Sequence, residues 1–176
     1  MFCARKEHDM SMAQAFLAEF EHESKTTRRF LERLPADRLA WKPHEKSLSA
    51  GQLALHIAAV PAAILNLAMQ DEAALRDMAE NFPMPKSVEE VLDTHDKGVA
   101  EVRRLLPTIS DERMGQIWHG LMNGERKLTM PRATVLRMVM LNHWIQHRGQ
   151  FGVYLRLMGA KVPSSYGPSG DEPAGG

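Results

Sequence analysis

Cysteine is almost missing from this chain: Cys3 is the single one in 176 residues. One thiol excludes a disulfide framework and a cysteine-based zinc site, and it suits a reducing, cytoplasmic compartment. Charge of neither sign is in excess, since 22 lysines and arginines balance 22 aspartates and glutamates. That removes the basic face a dedicated nucleic-acid binder needs and the acidic tail that would mark a charged partner. No run approaches the roughly 18 apolar residues of a membrane span. The opening MFCARKEHDM also lacks the apolar stretch of a signal peptide. The expectation is therefore a protein with neither a nucleic-acid nor a membrane partner. Internal repeats and strand-rich stretches are absent as well.

What remains is helical periodicity with clear punctuation. Residues 12–33 place Phe16, Phe20, Thr27, Phe30 and Leu31 on one side, with Ser11 as N-cap and Pro35 as stop. Ser49 with Gln52, and Ser87 with Glu90, have the form of capping boxes that open second and third helices. Pro61 lies inside the second and predicts a kink. Pro107 ends the third. Residues 71–86 read as a crossover connection, and 108–130 are broken by Gly115, Gly120 and Gly124, with WHGLMNGERKLTM able to run extended. A long fourth helix is predicted over 131–158, from Pro131 to a Gly159 cap. The fold class is thus all-α, a four-helix bundle over residues 11–160. Residues 1–10 read as a disordered lead-in and 161–176 as an irregular tail.

The histidines are the informative feature. At about 100° per residue, His143 and His147 fall at the centre of the inward stripe of the fourth helix. His56 falls in line with Leu53 and Val60 on the second, and His95 with Val91 and Val99 on the third. His22 falls on a wet face, and His8, His44 and His119 lie in predicted loops or the lead-in. A buried polar group left unpaired costs about 1–3 kcal/mol. A carbonyl or a water can satisfy one inward ring, whereas a divalent metal satisfies several at once. The i,i+4 spacing of His143 and His147 puts two ring nitrogens on one face. It is the geometry of HExxH, but no glutamate precedes His147, so a zincin protease is unsupported.

SAGQLALHIA (49–58) and NHWIQHRGQ (142–150), with the loop WKP (41–43) and the ending VPSSYGPSGDE (162–172), resemble the DinB family of metal-dependent helical-bundle proteins. The resemblance implies an up-down-down-up bundle. It also implies a divalent metal held by three histidines, which fall on His56, His143 and His147. Relatives in that family include thiol S-transferases and an isomerase that uses a low-molecular-weight thiol. His95 is outside the pattern and is read as a residue near the pocket. Gln150 and Tyr154, beyond His147 on nearly the same face, and Asn142 are further pocket or supporting candidates.

Three imidazoles leave a divalent ion with its charge unneutralised and a position open, the catalytic rather than the structural arrangement. Such an ion lowers the pKa of bound water or holds a thiol as thiolate. The donor set suits zinc or nickel, then iron or cobalt. The expected activity is transfer or addition of a small-molecule thiol to an electrophile. The alternatives are a metal-dependent hydrolase using metal-generated hydroxide and a non-catalytic metal- or ligand-binding stress protein. No carboxylate is placed as a general base. Met138, Leu141, Ile145, Gly149 and Gly152 make the other side of the fourth helix apolar as well, which predicts a homodimer through that face.

Overall fold

A computed structural model describes residues 10–75 and 82–174. Cys3 and His8, residues 1–9 of the expected 1–10 lead-in, and the middle of the expected crossover lie outside the described residues. Four long helices dominate: α1 (Met12–Leu31), α2 (Ala50–Ala68), α3 (Val88–Leu105), and a last helix, α5, described below. A short α4 (Asp111–Gly115) precedes α5. The serines read as caps do cap. Ser11 and Ser49 each accept from the backbone of the glutamine three residues on, whose amide answers the cap N–H. At α3 only half the box forms: Ser87 accepts from Glu90 N, while the Glu90 carboxylate takes the N–H of Lys86.

The all-α expectation is corrected by a three-stranded sheet. Strand β1 (Glu72–Ala74) pairs in parallel with β2 (Ile117–Met122), which returns antiparallel as β3 (Glu125–Pro131). The reversal is at Asn123-Gly124, both with positive φ (52° and 79°), the two-residue turn whose twist matches a hairpin. Gly120 is obligatory: a Cβ there would lie 2.8 Å from Leu75 and 2.9 Å from the Trp118 ring. The sheet is fastened to the C-terminal end of α2. Trp118 donates its indole N–H to the Leu67 carbonyl. The fully buried Arg132 donates to the carbonyls of Ala68, Gln70 and Arg113, which satisfies carbonyls at a helix end.

α5 runs without interruption through an α-turn (Arg132–Val135), a π-helical stretch (Leu136–Asn142) and an α-helix (His143–Leu157). No residue pattern marks the π stretch, which shifts the register just before His143.

The helix pairs have readable directions. Glu21 meets Arg103 and Arg28 meets Asp96, so α1 and α3 run oppositely. Gly98 faces Ala58 and Ala62, and further on Asn66 bonds Glu101, so α2 and α3 run the same way. Along α1 and α5, Phe20 stacks on Trp144, Glu23 pairs with Arg148 and Phe30 meets Gly152, which makes them parallel. One further correction concerns α2. It is long and apolar enough to cross a membrane by length and composition, yet 61% of that stretch is buried inside the protein. It is the core helix, and its hydrophobicity is used up by its neighbours.

Residues 160–174 carry no helix or strand but are tied down. Glu172 pairs with Arg29 and Arg33, Asp171 with Arg156, and Tyr166 donates to Glu23.

Candidate metal centre

The site lies where the first half of α2 faces the middle of α5. His56 comes seven residues after its cap and is buried, and His143 and His147 are half-buried. Their ring centroids are 5.4 Å (His56 to His143), 4.8 Å (His56 to His147) and 4.4 Å (His143 to His147) apart. One nitrogen from each ring falls within 4.8 Å of the others, and no carboxylate joins the cluster among the described residues. The Nε2 atoms of His143 and His147 are 2.8 Å apart.

Two neighbours set this meeting. Pro61 has no N–H, so the Ile57 carbonyl four residues back loses its helical donor. The indole of Trp144 fills that vacancy, donating to Ile57 O over 2.8 Å. Ile57 follows His56 and Trp144 follows His143, so this bond fixes the two helices against one another beside the site. The helix continues through Pro61 to Ala68. Trp144 is a supporting residue the sequence reading missed. The signal was present, because a proline inside a helix names the carbonyl it leaves open.

Burial pushes the His56 ring down from 6.5 to about 4, with the His147 and His143 rings adding to the effect. Burial also lowers His143, then His147 does so, while the Val139 carbonyl works in the opposite sense. Rings kept neutral near pH 7 have the lone pairs that a metal requires.

The donors fit an ion. Bonds of roughly 2.0–2.1 Å in a tetrahedron place nitrogens about 3.3 Å apart, and the present separations, none above 4.8 Å, bracket that value. The surroundings also call for a cation. Gln150 Oε1 lies 2.9 Å from His147 Nδ1, and the Val139 carbonyl, one turn back, lies beside the His143 ring. With one ring protonated at Nε2 the 2.8 Å contact is a hydrogen bond between the two histidines; with both protons on Nδ1, two bare Nε2 lone pairs face each other, an arrangement that a positive ion between them relieves.

The other named candidates separate. Gln150 touches the triad. Tyr154 donates to the Leu48 carbonyl at 3.2 Å and sets its ring edge-on to Trp41. Asn142 is exposed and has no bond to the triad. His95 is buried, as its periodicity required, but it is brought to α1 and Asp96 and not to the triad. His119 sits in β2, bonded to Thr129, rather than in a loop. A neighbour not foreseen is Phe82, held by the start of α2. Phe82 places its ring edge-on to His56 at 4.9 Å, Gln52 holds the Phe82 carbonyl, and Met84 accepts from Ser49.

Helices that aim three imidazoles at one point define a helical protein with a three-nitrogen site able to take a divalent ion. The DinB family profile matches residues 10–175, and the chain belongs to the DinB family. An uncharacterized protein of Bacillus subtilis, YrdA, is 28% identical over 162 residues, which is 89% of each chain. A DinB-like protein of Bacillus cereus superposes with a TM-score of 0.68 at 25% identity, covering 87% of this chain and 97% of its own. A second DinB-like protein, YjoA of Bacillus subtilis, shares the fold at 20% identity and a TM-score of 0.66, over 85% and 96% of the two chains.

Proposed function

We propose that the protein is a divalent-metal-dependent enzyme that transfers or adds a small-molecule thiol to an electrophile, with His56, His143 and His147 as the ligands and zinc or nickel as the metal. The observation that carries this reading is the all-imidazole donor set, three ring nitrogens within 4.8 Å and no carboxylate among them. When bound, the ion supplies uncompensated positive charge and Lewis acidity, which lower the pKa of a thiol or water and favour an anionic ligand at the open position.

The chain's own contribution is to hold the His56 and His143 rings neutral by burying them and to bring α2 and α5 together through Trp144. Phe82 sets an aromatic ring beside His56, a soft apolar surface that suits a sulfur-bearing substrate. In the reaction the thiol gives its proton to solvent and its sulfur bonds the electrophilic carbon. The displaced electron pair departs with a leaving group or moves into a conjugated acceptor that then takes up a proton. The pair directions of the helices support an up-down-down-up bundle. The same reading takes a homodimer through the outer face of α5, and a cytoplasmic setting for a chain with one thiol.

The test combines elemental analysis of tag-free protein with thiol-dependent consumption of an electrophile. About one ion per chain is expected, with metal and activity both lost in the His56, His143, His147 triple alanine variant. Equal metal content in both proteins overturns the ligand assignment. Electrophile loss that needs metal but no thiol favours the hydrolase, and metal with no turnover favours a binding protein.

A further inference from the structure

We propose that Gln150 is a positioning residue for the site: its side-chain oxygen holds the proton of His147 on Nδ1, so that Nε2 is presented bare to the ion. This rests on the metal reading above and adds a residue that the donor set does not name.

The geometry is specific. Gln150 lies three residues after His147 on the same helix, where side chains become neighbours. Its Oε1 is 2.9 Å from Nδ1, on the opposite side of the ring from the nitrogen that faces His143. An imidazole has one proton to place when neutral, and the partner of one nitrogen decides the state of the other. With an amide oxygen at Nδ1 the proton stays there, and Nε2 keeps the lone pair that a metal needs. If the amide were reversed, with its nitrogen donating to Nδ1, the proton would move to Nε2 and point into the site, blocking coordination. The oxygen must therefore face the ring in any state that binds metal.

The other two rings lack this device. Among the described residues His56 has aromatic neighbours but no hydrogen bond, and the His143 ring has the backbone carbonyl of Val139 beside it but no side-chain partner at Nδ1. His147 is thus the one ligand whose proton is fixed by a side chain. Gln150 itself is exposed, so its replacement leaves the packing of the bundle in place. Outer partners of metal-bound histidines are worth roughly 10–100-fold in affinity, and the effect here should fall in that range.

The experiment has two readouts. In chelator-treated protein, long-range proton–nitrogen correlation spectra report which nitrogen of His147 carries the proton. The wild type should show the Nδ1–H form. Gln150→Leu should move His147 to the Nε2–H form or a mixture, and Gln150→Glu, which keeps an acceptor oxygen, should restore Nδ1–H. Zinc affinity, measured by chelator competition, should fall roughly 10–100-fold in Gln150→Leu and recover in Gln150→Glu. An Nε2–H form in the wild type, or an unchanged tautomer and affinity in Gln150→Leu, overturns the proposal. A wild type that binds no zinc defeats the metal reading instead, while the tautomer spectra still decide whether Gln150 holds the proton.

Discussion

The indole nitrogen of Trp144 and the carbonyl of Ile57 are 2.8 Å apart, and each residue is the chain neighbour of a site histidine. The bond exists because Pro61 cannot supply the helical N–H. Trp144→Phe keeps most of the stack on Phe20 but leaves a buried carbonyl unpaired, at a cost of about 1–3 kcal/mol. In a Pro61→Ala background the new N–H of residue 61 can take that carbonyl, so the same Trp144→Phe change should cost less. A double-mutant cycle in urea measures the difference. Additive effects, with no coupling between positions 61 and 144, would refute the account.

Acid should loosen the metal-free fold. His56, His95 and His143 all have ring pKa values lowered by burial, His56 to about 4. Below the ordinary 6.5 the unfolded chain binds protons that these buried rings refuse in the folded one. Stability is therefore complete above pH 6.5 and declines as pH falls toward 4. For His56 the displacement corresponds to roughly 3 kcal/mol, shared with its two neighbouring rings. Urea midpoints of chelated protein at several pH values between 7.5 and 5 measure the slope. His95 is a clean probe because it lies outside the triad, and His95→Leu should flatten the slope. An unchanged slope removes His95 from the account.

Much of this arrangement was legible in the residues. Ser11 and Ser49 announced their helices through glutamines three positions on, and the spacing of His143 and His147 brought out half of the site. What stayed hidden depends on distant partners. Periodicity turned His95 inward, but α3 is lined by both α1 and α2, and nothing local says which of them a ring will meet. Glu23 is charged and reads as solvated, yet it is buried because Arg148, far along the chain, reaches it. The hairpin carried its signal in Asn123-Gly124, whereas β1 has three residues, each with a parallel partner 47 positions away. The π stretch is a change of hydrogen-bond register and leaves no mark in composition.

Glu23 and Arg148 are both nearly inaccessible, and Arg148 also donates to Thr27 and to the Glu23 carbonyl, while Tyr166 donates to the Glu23 carboxylate. Removing one partner of a buried pair strands the other charge, which typically costs about 3–5 kcal/mol. Glu23→Ala should fall in that range by denaturant unfolding. Tyr166→Phe, which removes one bond from a largely exposed side chain, should cost about 1 kcal/mol. A Glu23→Ala cost no larger than that of Tyr166→Phe would mean that water reaches Arg148.

The outer side of α5 tests self-association. Of the residues expected to form a dimer face, Leu141 is fully buried and Gly152 is covered by Phe30 and Val162, so the chain itself takes up that part. Of the others, Met138 is 53% exposed and the space around Gly149 is open; Val153 and Leu157, outside the expected set, are 59% and 60% exposed on the same helix. From 138 to 157 the helix extends about 28 Å, long enough for a second copy to lie along it with its backbone close at Gly149. Sedimentation of the wild type should give twice the chain mass of 19.8 kDa. Val153→Asp with Leu157→Asp places charge in that seam and should yield monomers that still bind metal, since neither residue belongs to the triad. A wild type that sediments as a monomer at tens of micromolar rules the dimer out, and leaves these three side chains as ordinary exposed apolar surface.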